Sequence, residues 1–362
     1  KKSIKIAIYQ FFSAIYSAFI INNNNYKGVI NMNIKKIGLT ALAASLVSVS
    51  AHAGSVSVAG GASINTEGYS GENLNAGTTF SMGNQLTFSG SGELDNGMNV
   101  SISFVLDQGD DTKTTTNSAT APSGGTAPFD SHSVTVSSDE LGTLVFSGEG
   151  GSSATTAMDA SAAGNIWDTF DGARGAITAI AQKDTGPGDN SVLYTLPSLM
   201  DGLAISASYQ PQGSGRESAT GYSLAYTGIE GLTAKYSSTD EVGTTVALSG
   251  DQTAWHASYA YGPVTVTATN SDFDVGTAAS DQELSSFAIS YTITDELSVT
   301  YGEDTIEKGN DPTDAEYSVI SASYTAGGMT ISASMKEGEN TVHSTATNED
   351  FEYWSLGASF AF

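Results

Sequence analysis

Past residue 53 the sequence alternates, residue by residue, between apolar and small polar side chains. Val100, Ile102, Phe104 and Leu106 alternate with Asn99, Ser101 and Ser103. Phe287, Ile289, Tyr291 and Ile293 alternate with Ser286, Ser290 and Thr292. Met329, Ile331, Ala333 and Met335 alternate with Thr330, Ser332, Ser334 and Lys336. A period of two belongs to an extended strand with one apolar face; a helix, with its period of about 3.6, would scatter these residues around its circumference. The final residues keep the pattern, with Trp354, Leu356, Ala358, Phe360 and Phe362 on one face. A soluble protein has little reason to leave such an aromatic end exposed. A sheet that closes on its last strand does.

The joints between these runs are of two alternating kinds. Tight ones fall at Asp95-Asn96-Gly97, Asp139 to Gly142, Pro197 to Gly202, Thr227 to Gly231, Gly262-Pro263, Thr294 to Glu296 and Ala326-Gly327-Gly328. Each reads as a hairpin turn. Longer, acidic, Gly/Ser/Thr-rich joints run from Gln108 to Ser131, Gly150 to Asn190, Asp272 to Asp281 and Glu337 to Glu349. Short turns at one end and long loops at the other predict an all-β, transmembrane antiparallel β-barrel. Counting gives about sixteen strands, starting near residues 54, 84, 98, 132, 143, 191, 203, 219, 232, 252, 264, 284, 297, 316, 329 and 351. An even count lets the last strand pair with the first, so no edge stays open. Tyr226, Tyr261 and Tyr324 sit beside tight joints, and Tyr209, Tyr236 and Tyr301 sit several residues up their strands. Two aromatic girdles at the membrane interfaces would place them so.

Composition agrees. Charged residues are only 14%, with 40 Gly against 7 Pro, a mix for many short strands rather than for a helical or a disordered chain. No apolar run past residue 54 is long enough for a spanning helix. There is no Cys, so no disulfide, thiolate metal site or Cys nucleophile. All 39 acidic residues lie past residue 53 with only seven basic ones, a net formal charge of −32. Such a surface repels nucleic acid and attracts cations, including divalent ones.

The leader is distinct. Residues 32–53 read as a secretory signal peptide: Lys35 and Lys36 supply the positive end, Ile37 to Val49 the apolar stretch, and Ala51-His52-Ala53 a small-x-small cleavage site. The barrel is then expected over residues 54–362. Residues 1–31, rich in Lys, Ile and Asn, read as untranslated upstream or non-structural sequence.

The ending through Trp354, Leu356, Phe360 and Phe362 resembles the Phe-terminated assembly signal of bacterial outer-membrane proteins. The hairpins Gly97 to Asp111 and Val192 through Tyr209 resemble the general porins of α-proteobacteria, the Rhodobacter-type porins. The resemblance implies a bacterial outer-membrane location, a homotrimer, handling by the barrel-assembly machinery, contact with outer-membrane lipid and lipopolysaccharide, and a third extracellular loop folded into the lumen. Sequence signatures of hydrolases, zinc proteases and P-loops are absent, so neither an enzyme nor a cofactor is expected.

A barrel of this strand number leaves an aqueous channel, whose selectivity comes from charge at its narrowest point. The third long loop, about Gly150 to Asn190, carries Asp159, Asp168, Asp171, Asp184 and Asp189, with Arg174 and Lys183 as its basic residues. It is expected to form the constriction, anchored by Ile166, Trp167 and Phe170. Glu93, Asp107, Lys235 and Lys336 fall on the polar face and are expected to line the lumen. Two Arg past residue 53 cannot build the basic wall cluster of such porins. The expected function is therefore diffusion of small polar solutes with a preference for cations. Bound Ca²⁺ or Mg²⁺ is conceivable at Asp110-Asp111, Glu303-Asp304 and Glu349-Asp350. The competing readings are a secreted or surface-layer β-rich adhesin, which would stay soluble without detergent, and a narrower substrate-specific barrel.

Overall fold

The computed structural model describes residues 55–71, 77–107, 131–155, 160–170, 190–212, 216–243, 250–275, 281–309, 311, 313–341, 343 and 350–362. The leader assigned to residues 32–53, and residues 1–31 before it, lie outside them.

Sixteen strands form one closed antiparallel barrel in which each pairs with its neighbours in sequence and β1 pairs with β16. They are β1 (Ser55–Gly71), β2 (Gly77–Glu93), β3 (Asn99–Asp107), β4 (Ser131–Ser138), β5 (Gly142–Glu149), β6 (Ser191–Thr195), β7 (Leu203–Gln210) and β8 (Arg216–Tyr226). There follow β9 (Leu232–Gly243), β10 (Gly250–Tyr261), β11 (Val264–Val275), β12 (Gln282–Thr292), β13 (Leu297–Lys308), β14 (Ala315–Ala326), β15 (Met329–Glu339) and β16 (Phe351–Ala361). Closure gives every strand two partners, which a bilayer demands because lipid offers no hydrogen bonds to a bare edge.

The strand starts read from alternation lie within three residues of these, except at β2, which begins at Gly77 rather than near 84. Its alternation runs through Phe80 and Met82, which face outward, and Gly83 does not interrupt the ladder: it pairs with Ser63. In the outward row the polar Asn84 falls between Met82 and Leu86, which weakens the apolar alternation but not the backbone ladder. Tight joints close the other end. At one of them Gly202 has φ +77, and a Cβ there would lie 2.3 Å from the Gly228 amide nitrogen.

Directly opposed residues share a face, so one outward row runs Tyr301, Ile320, Met335, Trp354 across β13–β16. These side chains stay 41–64% exposed, as a lipid-facing band would. The next row toward the long loops, on the same face, is Glu303, Ser318, Glu337, Glu352. The apolar band thus ends abruptly in carboxylates. The largest buried cluster lies instead on the inner wall, around Ile166 and Phe170.

Candidate functional site

Between β5 and β6, residues 150–155 and 160–170 run as a strap along the inner wall. At its near end the Ala154 amide donates to Ser208 Oγ of β7 at 3.0 Å. Farther on, three strap amides meet three wall side chains. Ala162 donates to Thr269 Oγ1 at 2.9 Å, Ala163 to Ser286 Oγ at 3.0 Å, and Ile166 to Asp304 Oδ2 at 2.7 Å. Thr269, Ser286 and Asp304 stand directly opposite one another on β11, β12 and β13. One register row of the barrel thus offers a ladder of acceptors to a segment outside the sheet.

The strap's local turn is built for this. The Ser161 amide donates to Asn165 Oδ1, and the Asn165 amide to Ser161 Oγ, both at 2.7 Å. Gly164 and Asn165 have positive φ, a region Gly and Asn tolerate best. A short 3-10 turn, Ile166–Thr169, follows. It drives Ile166 and Phe170 into a cluster with Leu284, Ile306, Tyr317, Val319, Phe351 and Tyr353. Phe170 stacks on Tyr317 and Phe351 with ring centroids 5.9 and 6.3 Å away. Gly302 of β13 makes room, because a Cβ there would lie 2.6 Å from Ala163 Cβ.

The far end of the turn is held as well. Tyr69 of β1 donates its hydroxyl hydrogen to the Thr169 carbonyl at 3.1 Å. The Lys336 ammonium donates to the Thr169 hydroxyl and lies 5.6 Å from the Tyr353 ring centroid, a cation–π distance. Tyr353 donates to Glu67 Oε2 at 2.7 Å, and Asn65 to the same oxygen at 3.1 Å. Lys336 also feels the charges of Asp168, Asp304 and Glu67. Asp168 itself is exposed on the strap.

Of the loop residues expected at the constriction, Asp168 is described, and Asp159, Asp171, Arg174, Lys183, Asp184 and Asp189 lie outside the described residues. Among the expected wall residues, Lys336 touches the strap. Lys235 shares the acceptor row through His256, which pairs with both Lys235 and Thr269. Glu93 and Asp107 lie at opposite ends of the wall, opposite Asn99 beside a tight turn and opposite Gln85 beside a long loop, so the fold does not bring them to the strap. Glu303 and Asp304 are neighbours in sequence but lie on opposite faces of β13, so they cannot share a cation. Asp110, Asp111 and Glu349 lie outside the described residues, among which no group of three His, Asp or Glu is placed to hold a metal. Trp354, Leu356, Phe360 and Phe362 all face outward and are exposed.

Sequence reasoning missed Tyr69, Thr269, Ser286, Gly302 and Tyr353 as strap partners, and took Asp304 for half of an acidic pair. One signal was available. Phe273, Leu284, Ile306, Val319 and Phe351 are large apolar residues on the otherwise polar face, and they mark where something packs inside the lumen.

A family model described as Gram-negative porin matches residues 38–362. No curated protein sequence matches the chain. Solved structures do. A porin structure refined at 1.8 Å is 16% identical, with a TM-score of 0.59, over 85% of this chain and 100% of that one. A variant of the Rhodopseudomonas blastica porin is 16% identical with a TM-score of 0.60 at the same coverage. An anion-selective porin from Comamonas acidovorans is 12% identical with a TM-score of 0.61, again over 85% and 100%. At these identities the likeness is one of fold.

Proposed function

This chain belongs to the Gram-negative porin family, a diffusion channel of the bacterial outer membrane, and from that premise we propose that its pore prefers cations. The observation that carries this reading is the charge imbalance: seven basic against 39 acidic residues past residue 53. Within the lumen, Glu67, Glu93, Asp107, Asp304 and strap-borne Asp168 outnumber Lys235, Lys308 and Lys336. A low-dielectric barrel wall focuses such a field and concentrates counter-ions at the mouths. Fold alone does not set the sign, since a barrel of the same architecture is described as anion-selective. The test is the reversal potential of the purified protein in a planar bilayer under a salt gradient. A cation-side potential that falls in Asp168→Asn supports the proposal, and an anion-side potential in the wild type overturns it. The solutes are small, hydrophilic, and neutral or cationic, with Ca²⁺ or Mg²⁺ at the acidic loops as part of the same expectation.

The trimer belongs to this proposal too. No Tyr or Trp faces outward from β1 through β5, where the described outward residues are Gly, Ala, Val, Ile, Leu, Met and Phe with Thr66, Ser70, Thr78, Asn84, His132 and Ser138. On β6–β16, by contrast, Tyr194, Tyr209, Tyr236, Trp255, Tyr301 and Trp354 stand exposed. Interfacial aromatics mark contact with lipid headgroups, so the face without them fits a neighbouring copy. Mass measurement in detergent should give three chains. In the same reading the segment 32–53 is a signal peptide, and N-terminal sequencing of the outer-membrane form should begin at Gly54.

A further inference from the structure

On much of the inner wall, hydroxyls that face one another across strands bond to one another. Ser258 and Thr267 do so at 3.0 Å, Ser290 and Thr300 at 2.7 Å, and Ser334 and Ser355 at 2.8 Å. The stretch from β3 to β6 differs. Ser103, Ser133, Ser147 and Ser191 stand directly opposite one another there, yet among the described residues their hydroxyls bond to nothing. Ser191 is 2% exposed and its Oγ is without a partner. Ser103, Ser133 and Ser147, with Ser131 and with Ser152 of the strap, line a recess of about 220 Å³. Its apolar lining is Val145 and Leu193, which oppose one another on β5 and β6. These two lie outside the cluster that packs under the strap. A break of register between His132 and Ser133 falls at the same place, and β-bulges gather beside binding sites.

Charge and size narrow what fits. No Asp, Glu, Lys or Arg lines the recess, and His132 borders it from an outward strand position opposite Phe104. The chain past residue 53 is strongly acidic, and that field repels anions. A cation finds no carboxylate in the lining. A hydroxyl both donates and accepts, so a row of them beside two aliphatic side chains suits a solute with a hydroxyl rim and a C–H face. The volume lies below the range for drug-sized ligands, about 300–1,000 Å³.

We propose that this recess is a binding subsite for a neutral polyhydroxylated solute of monosaccharide size. The inference rests on the reading of the barrel as a channel and narrows the class of its solutes. Ser103, Ser133 and Ser147 exchange hydrogen bonds with the solute's hydroxyls, Ser152 adds one from the strap, and Val145 and Leu193 meet its C–H face. Each bond replaces one to water and gains little. Binding is therefore weak enough for the solute to leave again, as conduction requires.

The experiment uses the full barrel in a planar bilayer and in detergent, with glucose as the probe and sulfate as the anionic comparison. In the wild type, glucose should lower the ion current in a saturable way, and ligand-observed NMR should show saturation transfer from protein to glucose. Ser103→Ala, Ser133→Ala and Ser147→Ala together should raise the half-saturating concentration by roughly tenfold, the scale of one or two neutral hydrogen bonds. Ser152→Ala lies outside the sheet, so barrel folding is spared, and should raise it about threefold. Ser258→Ala, in a wall pair elsewhere, should leave it unchanged. A current that falls only with solution viscosity, or a triple variant that saturates like the wild type, would overturn the proposal. Saturable block by sulfate without block by glucose would overturn it as well. If the wild type conducts nothing, the channel reading fails, while the NMR titration of the same variants still decides whether the recess binds glucose.

Discussion

Gly60 and Phe362 are hydrogen-bonded to each other in both directions. The Gly60 amide donates to the Phe362 carbonyl at 2.7 Å, and the Phe362 amide to the Gly60 carbonyl at 3.0 Å. The seam between β1 and β16 is therefore sealed at its very last residue. The pairing depends on a missing side chain: a Cβ at Gly60 would lie 2.3 Å from the Phe362 ring.

Gly60→Val should accordingly lower the yield of folded barrel, read as the heat-modifiable band on a gel. Phe362→Ala should recover part of the Gly60→Val loss, because it removes the ring that the new side chain meets. A double variant no better than the sum of the singles would show that the clash is not the cause.

Gly302→Val should act on the pore and leave the barrel intact. The added Cβ lies 2.6 Å from Ala163 Cβ, so the strap must lift off the wall toward the lumen. Single-channel conductance should drop while the heat-modifiable band stays. An unchanged conductance would mean that the strap absorbs the clash without moving inward.

Neighbouring residues on one strand should respond oppositely to charge. Ile320 faces outward and is 53% exposed, whereas Ser321 faces inward opposite Thr300. Ile320→Arg should cost about 2–4 kcal/mol of folding in bilayers if the site lies near midplane depth. Ser321→Arg should fold normally and shift the reversal potential toward anions. Equal folding losses in a denaturant titration would contradict the assignment of faces.

His343, in the loop between β15 and β16, is 7% exposed, and its Nδ1 lies 3.2 Å from the Thr313 carbonyl. Burial lowers its pKa first, against the raising effect of the Thr313 bond; Lys308 adds to the lowering, while Asp311 and Asp314 oppose it. The neutral ring is therefore the docked form. As pH falls below the ordinary histidine range, the unfolded state takes up the proton first, and this contact's share of stability is lost. By NMR, His343 should titrate at lower pH in the folded protein than in the urea-unfolded chain. A higher folded value would reverse the argument.

Much of the barrel was legible because alternation is a local property. Phe287, Ile289 and Tyr291 announce a strand and its outward face without any knowledge of their partners. Strand β2 is the instructive exception: its start was read near residue 84, yet the ladder runs from Gly77 straight through Gly83, with Asn84 as the polar residue in the outward row of Phe80, Met82 and Leu86. Of the strap, Ile166, Trp167 and Phe170 were legible as anchors, being apolar in an acidic, Gly-rich segment. Their receptors were not. Thr269, Ser286 and Asp304 are ordinary polar-face residues on three different strands, and nothing in their neighbours distinguishes them.

By itself the sequence determined a closed antiparallel barrel, its strand order, its two faces and its acidic balance. These follow from periodicity, turn chemistry and the need to leave no edge unpaired in lipid. Only the tertiary structure decided which wall residues hold the strap, because that depends on strand register and barrel stagger. Those two quantities bring residues 269, 286 and 304 into one row beneath a turn more than a hundred residues earlier in the chain. The closing pair reflects the same division. An outward aromatic end was readable from Trp354 to Phe362, but that Gly60 leaves the slot for the last ring follows from the register of β1 against β16 alone.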